Sequence, residues 1–406
     1  MKSNKFFFLA MKICTNNFWK KFFFFFLTLI CIFLILPLFA PARASLSSNQ
    51  IFDKATYLLK ENYYNQRFIN SVLSYDNIDV CRQKLTQSQY TAINCLVKLI
   101  QDPYTKYLSA SSAQKEFKRI QTIRISLGII TDPLNPRIIS QVLASSPAEK
   151  AGIKKGDSLL AINGVPTDLM NEKEISQKTR EVKNGEKVNL DLKRGYMFFS
   201  ASLIGREIHS IAVRSKMLPK GFLYIKIDDL LSSSAPDEML EILHSSNALN
   251  SRGLILDLRS NKGGLLNSGI TIADFFLKRG NILLSESKDG EKQYKADPKI
   301  EYVKPVVVLI NNETASAGEV IAAALQENHR AVLVGVTSYG KGLIQQIKTL
   351  PDGSALHITI SKFYTPTGKA INGIGVQPNM FSIDLNEQIE TAIAYLQTYL
   401  QTAKKN

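Results

Sequence analysis

Ser316 stands in the segment NNETASAGEV (311–320), directly after the apolar run Val306 to Ile310, flanked by Ala315, Ala317 and Gly318. A serine placed where a buried strand turns into a helix exposes its hydroxyl at the sheet edge. The first amides of the helix then point at whatever bonds there. That geometry suits a nucleophile, and small neighbours let a carbonyl approach, although TASAG is not the GxSxG elbow. Taken alone, the plainer reading is a helix cap. Lys341 sits between Gly340 and Gly342, just past a second apolar run, Val332 to Val336. A lysine folded inward from such a turn is desolvated, which disfavours the ammonium form and lowers its pKa. A neutral amine can take the serine proton, the Ser-Lys variant of triad chemistry. The side-chain amide of Gln345 could accept from that amine and hold its lone pair toward Ser316. Alone, Lys341 reads as a solvated turn lysine.

The third element is LDLRSNKGGLL (256–266). Asp257-Leu258-Arg259 closes a strand, and the paired Gly263 and Gly264 allow close backbone approach, with amides that can bind an anion. In acyl transfer that anion is the tetrahedral oxyanion, held by Gly263 or Gly264 together with the Ala317 amide. The plainer reading is a tight turn or a phosphate-binding turn, and no GxGxxG or GKS pattern supports a nucleotide. Asp257 and Arg259 read as structural partners.

Three textures must position these residues. Residues 47–108 carry helical apolar stripes (Ile51, Ala55, Leu58, Leu59; then Tyr90 to Ile100, ended by Pro103). From about 122 to 200, short β-like runs (ISLGII, RIISQVL, SLLAING, KVNLDLKRG) alternate with turns such as Asn163-Gly164. From about 206 onward, the strands GFLYIKI, GLILDL, PVVVLI and AVLVGV alternate with helical stretches at 236–248, 265–278 and 317–328, which predicts α/β layering.

The ordered motifs DPYTKYL (102–108), SPAEKAGIKKGDSLLAING (146–164), LDLRSNKGGLL, NNETASAGE (311–319), YGKGLIQQ (339–346) and YTPTGKAINGIGVQPN (364–379) resemble the carboxyl-terminal processing proteases, the tail-specific serine peptidases. The likeness covers most of the chain after its leader. It implies an α/β multidomain fold with a crotonase/Clp-protease-like ββα core, an inserted PDZ domain and a helical N-terminal segment. The expected division is 1–44 signal peptide, 45–120 helical domain, 121–203 PDZ domain and 204–406 protease core. By the same resemblance, Ser316 corresponds to the nucleophile, Lys341 to the general base and Gln345 to the residue that orients the lysine. The PDZ carboxylate loop corresponds to Leu127, Gly128 and Ile129, with Leu127 and Ile129 lining an apolar pocket. Ser126 stands where the family pattern has glycine. A PDZ domain adds a substrate tail as a strand and captures its terminal carboxylate on backbone amides. The implied partners are proteins with free, apolar C-terminal tails; in photosynthetic members, that is a photosystem II reaction-centre precursor in the thylakoid lumen. Two other readings stay open: a catalytically silent exported PDZ adaptor, and a crotonase-type enzyme acting on an acyl-thioester.

The 406 residues carry 50 Lys and Arg against 35 Asp and Glu, a formal charge of +15. Residues 1–44 hold six of those cations and no acid, leaving 44 basic against 35 acidic residues, a net of +9. With no long Lys/Arg run, nucleic acid is not an expected partner. Phe22 to Ala40 is uncharged, Lys20 and Lys21 precede it, and Ala42-Arg43-Ala44 fits a small-residue cleavage site. This reads as a secretory signal, with an uncleaved anchor as its rival, and places the rest across a membrane, in a periplasm or thylakoid lumen. The leader suits a bacterial signal rather than a Ser-rich transit peptide. Cys81 and Cys95 read equally as a disulfide or two buried thiols. Without HExxH or CxxC, and with His209, His244, His329 and His357 scattered, no metal or cofactor is expected.

Overall fold

The computed structural model describes residues 47–403 apart from 121, 122, 133, 144, 145 and 210. The predicted signal peptide, 1–44, lies outside the described residues. Residues 51–406 form one compact unit. Among the described residues no helix is long and apolar enough to cross a membrane.

The chain opens with helices α1 (Ser48–Asn62), α2 (Gln66–Val72), α3 (Tyr75–Gln83) and α4 (Gln89–Ile100). Asn65, Ser74 and Ser88 cap the last three by accepting from backbone amides of the first turn. Ile51, Phe52, Ala55 and Leu59 of α1 and Ala92, Ile93, Leu96 and Ile100 of α4 form one buried stripe each. These stripes close a core with Leu350, from the turn between two later strands, and Leu356 and Ile358 of the second of them. Cys81 and Cys95 are disulfide-bonded, with Cα atoms 5.4 Å apart, which resolves the two sequence readings. The bridge joins α3 to α4 across a sequence separation of 14 residues. Closing so short a loop is worth about 3 kcal/mol. Reduction should lower the urea midpoint of the helical region by a matching amount, measured by circular dichroism with and without reductant.

Strand β1 (Lys106–Leu108) and helix α5 (Ala110–Ile120) lead to the next region. It comprises β2 (Ile123–Ser126), β3 (Ile129–Thr131), β4 (Ile139–Val142), α6 (Pro147–Lys150), β5 (Ser158–Ile162), β6 (Val165–Pro166), α7 (Glu172–Arg180), β7 (Lys187–Arg194), β8 (Met197–Ile204) and β9 (Arg206–His209). Strands β6-β5-β7-β8 form one sheet, and β2 pairs β9. Alternating Val188, Leu190 and Leu192 of β7 face a core shared with Leu127, Ile153, Leu159 and Ile175.

The remainder is layered. It holds β10 (Val213–Met217), β11 (Leu223–Ile227), α8 (Ala235–Leu243), α9 (Ser246–Asn250), β12 (Leu254–Asp257), α10 (Leu266–Asp274), β13 (Asn281–Ser287), β14 (Gly290–Lys295), β15 (Val306–Ile310), α11 (Ala317–Glu327), β16 (Ala331–Gly335), β17 (Leu343–Thr349), β18 (Ala355–Tyr364), β19 (Met380–Phe381) and α12 (Leu385–Ala403). A six-stranded sheet runs β10-β11-β12-β15-β16-β19, parallel from β11 onward. Every residue of β12 and β15 is buried, as both faces of a parallel sheet must be. Leu254, Leu256, Val306 and Val308 face α8, α10 and α11. Ile255, Val307 and Leu309 face α12. The helix expected over 236–248 is two: α8 ends at Leu243 with His244 as its C-cap, and Ser245 caps α9. A second sheet, β1-β18-β13-β14 with β17 on β18, carries the loop after β16 back toward Ser316.

Candidate active site

Ser316 is the turn between β15 and α11, with φ 56° and ψ −119°. L-residues avoid that region, so the surroundings must hold it there. They do so at several points. Thr314 donates its hydroxyl to the Leu258 carbonyl at 2.8 Å, and the Ala315 amide donates to the Asn261 carbonyl at 2.9 Å. The Ser316 amide donates to Glu319 Oε2 at 2.7 Å.

Glu319 is fully buried in the first turn of α11. Its Oε2 also accepts from the Lys341 amide at 2.9 Å, and Oε1 accepts from the Gly340 amide at 2.7 Å and the Ser338 hydroxyl at 2.5 Å. One carboxylate therefore joins the backbone of the serine turn to the backbone of the lysine loop. Sequence reading missed it. The available signal was the serine followed three residues later by glutamate, the capping-box spacing.

The glycines around Lys341 serve close packing. A Cβ on Gly342 would lie 2.6 Å from the Asn372 amide nitrogen, and one on Gly340 would lie 3.0 Å from those of Ile374 and Gly375. The segment YTPTGKAINGIG thus lies against the lysine loop. From the other side Tyr104, of the DPYTKYL motif, places its ring centroid 4.9 Å from Lys341 Nζ. The sequence signalled that motif without showing that it covers the amine.

Gly263, at φ 80°, abuts the serine turn: a Cβ there would stand 2.8 Å from Ser316 Cβ and 2.9 Å from the Ala317 nitrogen. Its own amide donates to Asn261 Oδ1 at 2.8 Å. The adjoining backbone pairs Leu230 across Gly264. Among the described residues, no hydrogen-bond partner is found for the Gly264 and Ala317 amides. Asn261, buried, also donates Nδ2 to the Ile227 carbonyl at 3.0 Å, so its side chain sets the glycine turn while its main-chain carbonyl holds the serine turn.

Ser316, Lys341, Gln345, Gly263 and Gly264 all line one cavity of about 1200 Å³. Gln345 Nε2 is buried there with no hydrogen-bond partner among the described residues. Leu266, Leu343 and Phe363 give the cavity apolar wall. It continues to Ser126 and Ile129 beside α7. Leu127, expected to line a tail pocket, is instead fully buried in the core beneath. Gly128, at φ 84°, donates its amide to the Ser126 hydroxyl at 3.1 Å. Lys173 of α7 reaches Glu313 of the serine loop at 2.5 Å, and Ser260 donates to the same carboxylate at 2.6 Å. The bonds from Lys173 and Ser260 hold the Glu313 carboxyl below its ordinary range.

Asp257 and Arg259 pair beneath the sheet, Nη2 to Oδ2 at 2.6 Å, and Arg259 ties α12 through the Leu385 carbonyl at 2.8 Å. Burial alone would raise the Asp257 carboxyl; the Lys226 and Arg259 charges outweigh it and hold it well below the usual carboxylate range. His329 is exposed just past α11, away from the cavity lining. Among the described residues no group of His, Cys, Asp and Glu is arranged to hold a metal ion.

The family models for "Peptidase family S41" and "PDZ domain" match residues 221–381 and 138–194. The carboxyl-terminal-processing protease of Synechocystis is 32% identical over 336 residues, which cover 78% of this chain and 77% of that one. The chain belongs to peptidase family S41. The carboxy-terminal processing protease CtpA of Bacillus subtilis is 34% identical over 71% of this chain and 62% of its own. A solved photosystem II D1 C-terminal processing protease shares the fold, with a TM-score of 0.56 and 24% identity over 86% of this chain and 97% of that one. As an S41 member, the protein is a serine-type peptidase with a PDZ domain and a helical N-terminal segment. The Ser316 end of the cavity lies within the peptidase match, Lys173, Ser176 and Gln177 line it from the PDZ match, and Ile129 from the strand preceding that match.

Proposed function

We propose that this S41 peptidase is an exported endopeptidase that takes free C-terminal tails at its PDZ domain and removes C-terminal peptides by Ser316–Lys341 chemistry. The proposal uses the division 1–44 signal, 45–120 helical, 121–203 PDZ and 204–406 protease core. The observation that carries it is the shared cavity, which Ser316 at a disfavoured backbone angle, Lys341 joined to it through Glu319, and Gly264 all line; among the described residues no partner is found for the Gly264 amide or for that of Ala317 beside Ser316.

Lys341, as free amine, takes the Ser316 hydroxyl proton while Oγ attacks the scissile carbonyl carbon. The Gly264 and Ala317 amides receive the oxyanion, since the Gly263 amide already serves Asn261, and each donor is worth roughly 3 kcal/mol. The lysinium returns its proton to the leaving amine. Water then repeats the cycle on the acyl-enzyme. Gln345 holds the amine. The loop of Leu127, Gly128 and Ile129 receives the tail carboxylate, the Gly128 amide exchanging its bond to the Ser126 hydroxyl for the ligand, with Ile129 against the last side chain. Nothing in these steps calls for a metal or cofactor.

The substrates are proteins with free, apolar tails, and a photosystem II reaction-centre precursor is one to test. The test compares peptides alike except for a free or amidated C-terminus. The free form should be cleaved at least about tenfold more efficiently, the order expected for one charge-assisted carboxylate contact. Equal cleavage would remove tail recognition; absence of cleavage of either would favour the silent adaptor.

A further inference from the structure

The β7–β8 hairpin carries a feature that peptide cleavage does not use. Arg194 and Met197 pair across a two-residue turn, Gly195-Tyr196, in which Gly195 has φ 57°. Glycine at the first turn position gives the rigid hairpin geometry that matches strand twist. At this tip Tyr196 is 99% exposed, Met197 66% and Phe198 70%. Three consecutive large apolar side chains in water at the end of a rigid arm are unusual for a surface that meets only solvent. None of them lines the catalytic cavity.

The tip has a cationic collar. Lys193 Nζ lies 5.5 Å from the Phe198 ring centroid, and Arg194 lies 5.0 Å from that of Phe199. Arg194 also donates to the Gly152 carbonyl at 2.7 Å, which brings the exposed Lys154 and Lys155 of the neighbouring turn alongside. Helix α6, ending at Lys150, packs against β8. Asp157 is buried and held by Arg194 at 2.6 Å; against Lys150, Lys154, Lys155 and Lys193 stand the charges of Asp191, which accepts from Ser200 at 2.6 Å, and Glu149, so the charge around the tip is mainly positive.

We propose that this hairpin is a membrane-surface anchor whose occupant is an anionic lipid bilayer. A convex aromatic tip offers no groove for a peptide strand or helix. It does match a layered partner with anionic headgroups outside and apolar chains beneath. Tyr196 and Phe198 enter the interface, where amphipathic rings are favoured, and the lysine stems reach back to the headgroups. The collar supplies attraction that depends on lipid charge and salt. The anchor is separate from the leader, and it would hold the PDZ region beside a membrane.

The test uses the full chain with vesicles of phosphatidylcholine, with or without phosphatidylglycerol, containing a photoactivatable diazirine in the acyl chain. Adducts are mapped by peptide. In anionic vesicles, adducts should appear in the segment Gly195 to Phe199. They should fall about tenfold or more in Tyr196→Ser/Met197→Ser/Phe198→Ser, the order expected from removing buried apolar surface. Lys154→Glu/Lys155→Glu should reduce them in anionic vesicles while leaving phosphatidylcholine vesicles unaffected. Cleavage of a soluble peptide should be unchanged in both variants, which separates anchoring from folding. Absence of adducts from this segment in the native chain, adducts indifferent to lipid charge, or a tip found cross-linked to a second copy or to another protein would each overturn the proposal.

Discussion

Ser316→Ala should lower the rate of peptide cleavage by about 10⁵-fold or more, as removal of an acyl-transfer nucleophile does, while circular dichroism and tail binding stay unchanged. Lys341→Ala should cost a similar factor, and the double variant little more than either, because the two groups act as a unit. Lys341→Arg discriminates further. It keeps the positive charge, but a guanidinium does not give up its proton in proteins and cannot serve as base. It should be as inactive as alanine. In the native enzyme kcat should rise with pH, because deprotonation of the amine creates the working base. Activity retained in Lys341→Arg, or a rate that falls from neutral to alkaline pH, would end the assignment.

Glu319 should be nearly as costly although it need not touch substrate. Four donors converge on its two oxygens: the Ser316, Gly340 and Lys341 amides and the Ser338 hydroxyl. Glu319→Gln keeps the shape but turns an NH₂ toward donors, leaving buried amides unpaired. A loss of roughly 3 kcal/mol of stability follows. Release of the serine and lysine backbones should also drop kcat by about 100-fold, with KM little moved, the pattern of lost alignment rather than lost binding. Denaturant unfolding and steady-state kinetics on one preparation read both. Native stability with native kcat in Glu319→Gln would show that the four hydrogen bonds do not position the site.

The legible parts of the chain were those governed by local pattern. Val306 to Ile310 is apolar throughout because it lies in a sheet covered on both faces, and the small residues after it mark the turn into α11. Gly340 and Gly342 were visible as punctuation. Their reason was not, since it lies in the approach of Asn372 and Gly375, far along the chain. Glu319 could be seen as a cap for its own helix, but its contacts to Ser338, Gly340 and Lys341 exist only after β16 has crossed beside β15. Tyr104 and Asn261 are similar cases, contributing to the site from segments separated in sequence. Leu127 and Ile129, on either side of Gly128, are both buried in one core and only Ile129 also borders the cavity; alternation does not distinguish two positions of the same parity, so packing sets that difference.

The cavity that starts at Ile129 and reaches Ser316 has a further bearing on the proposed reaction. Between the two ends, the solvent-facing Lys173–Glu313 pair links α7 to the serine loop. On the proposed reading, a substrate docked by its last residue would be cut at a spacing dictated by that span. The enzyme would then act as a ruler, releasing fragments of near-constant size from tails of differing composition.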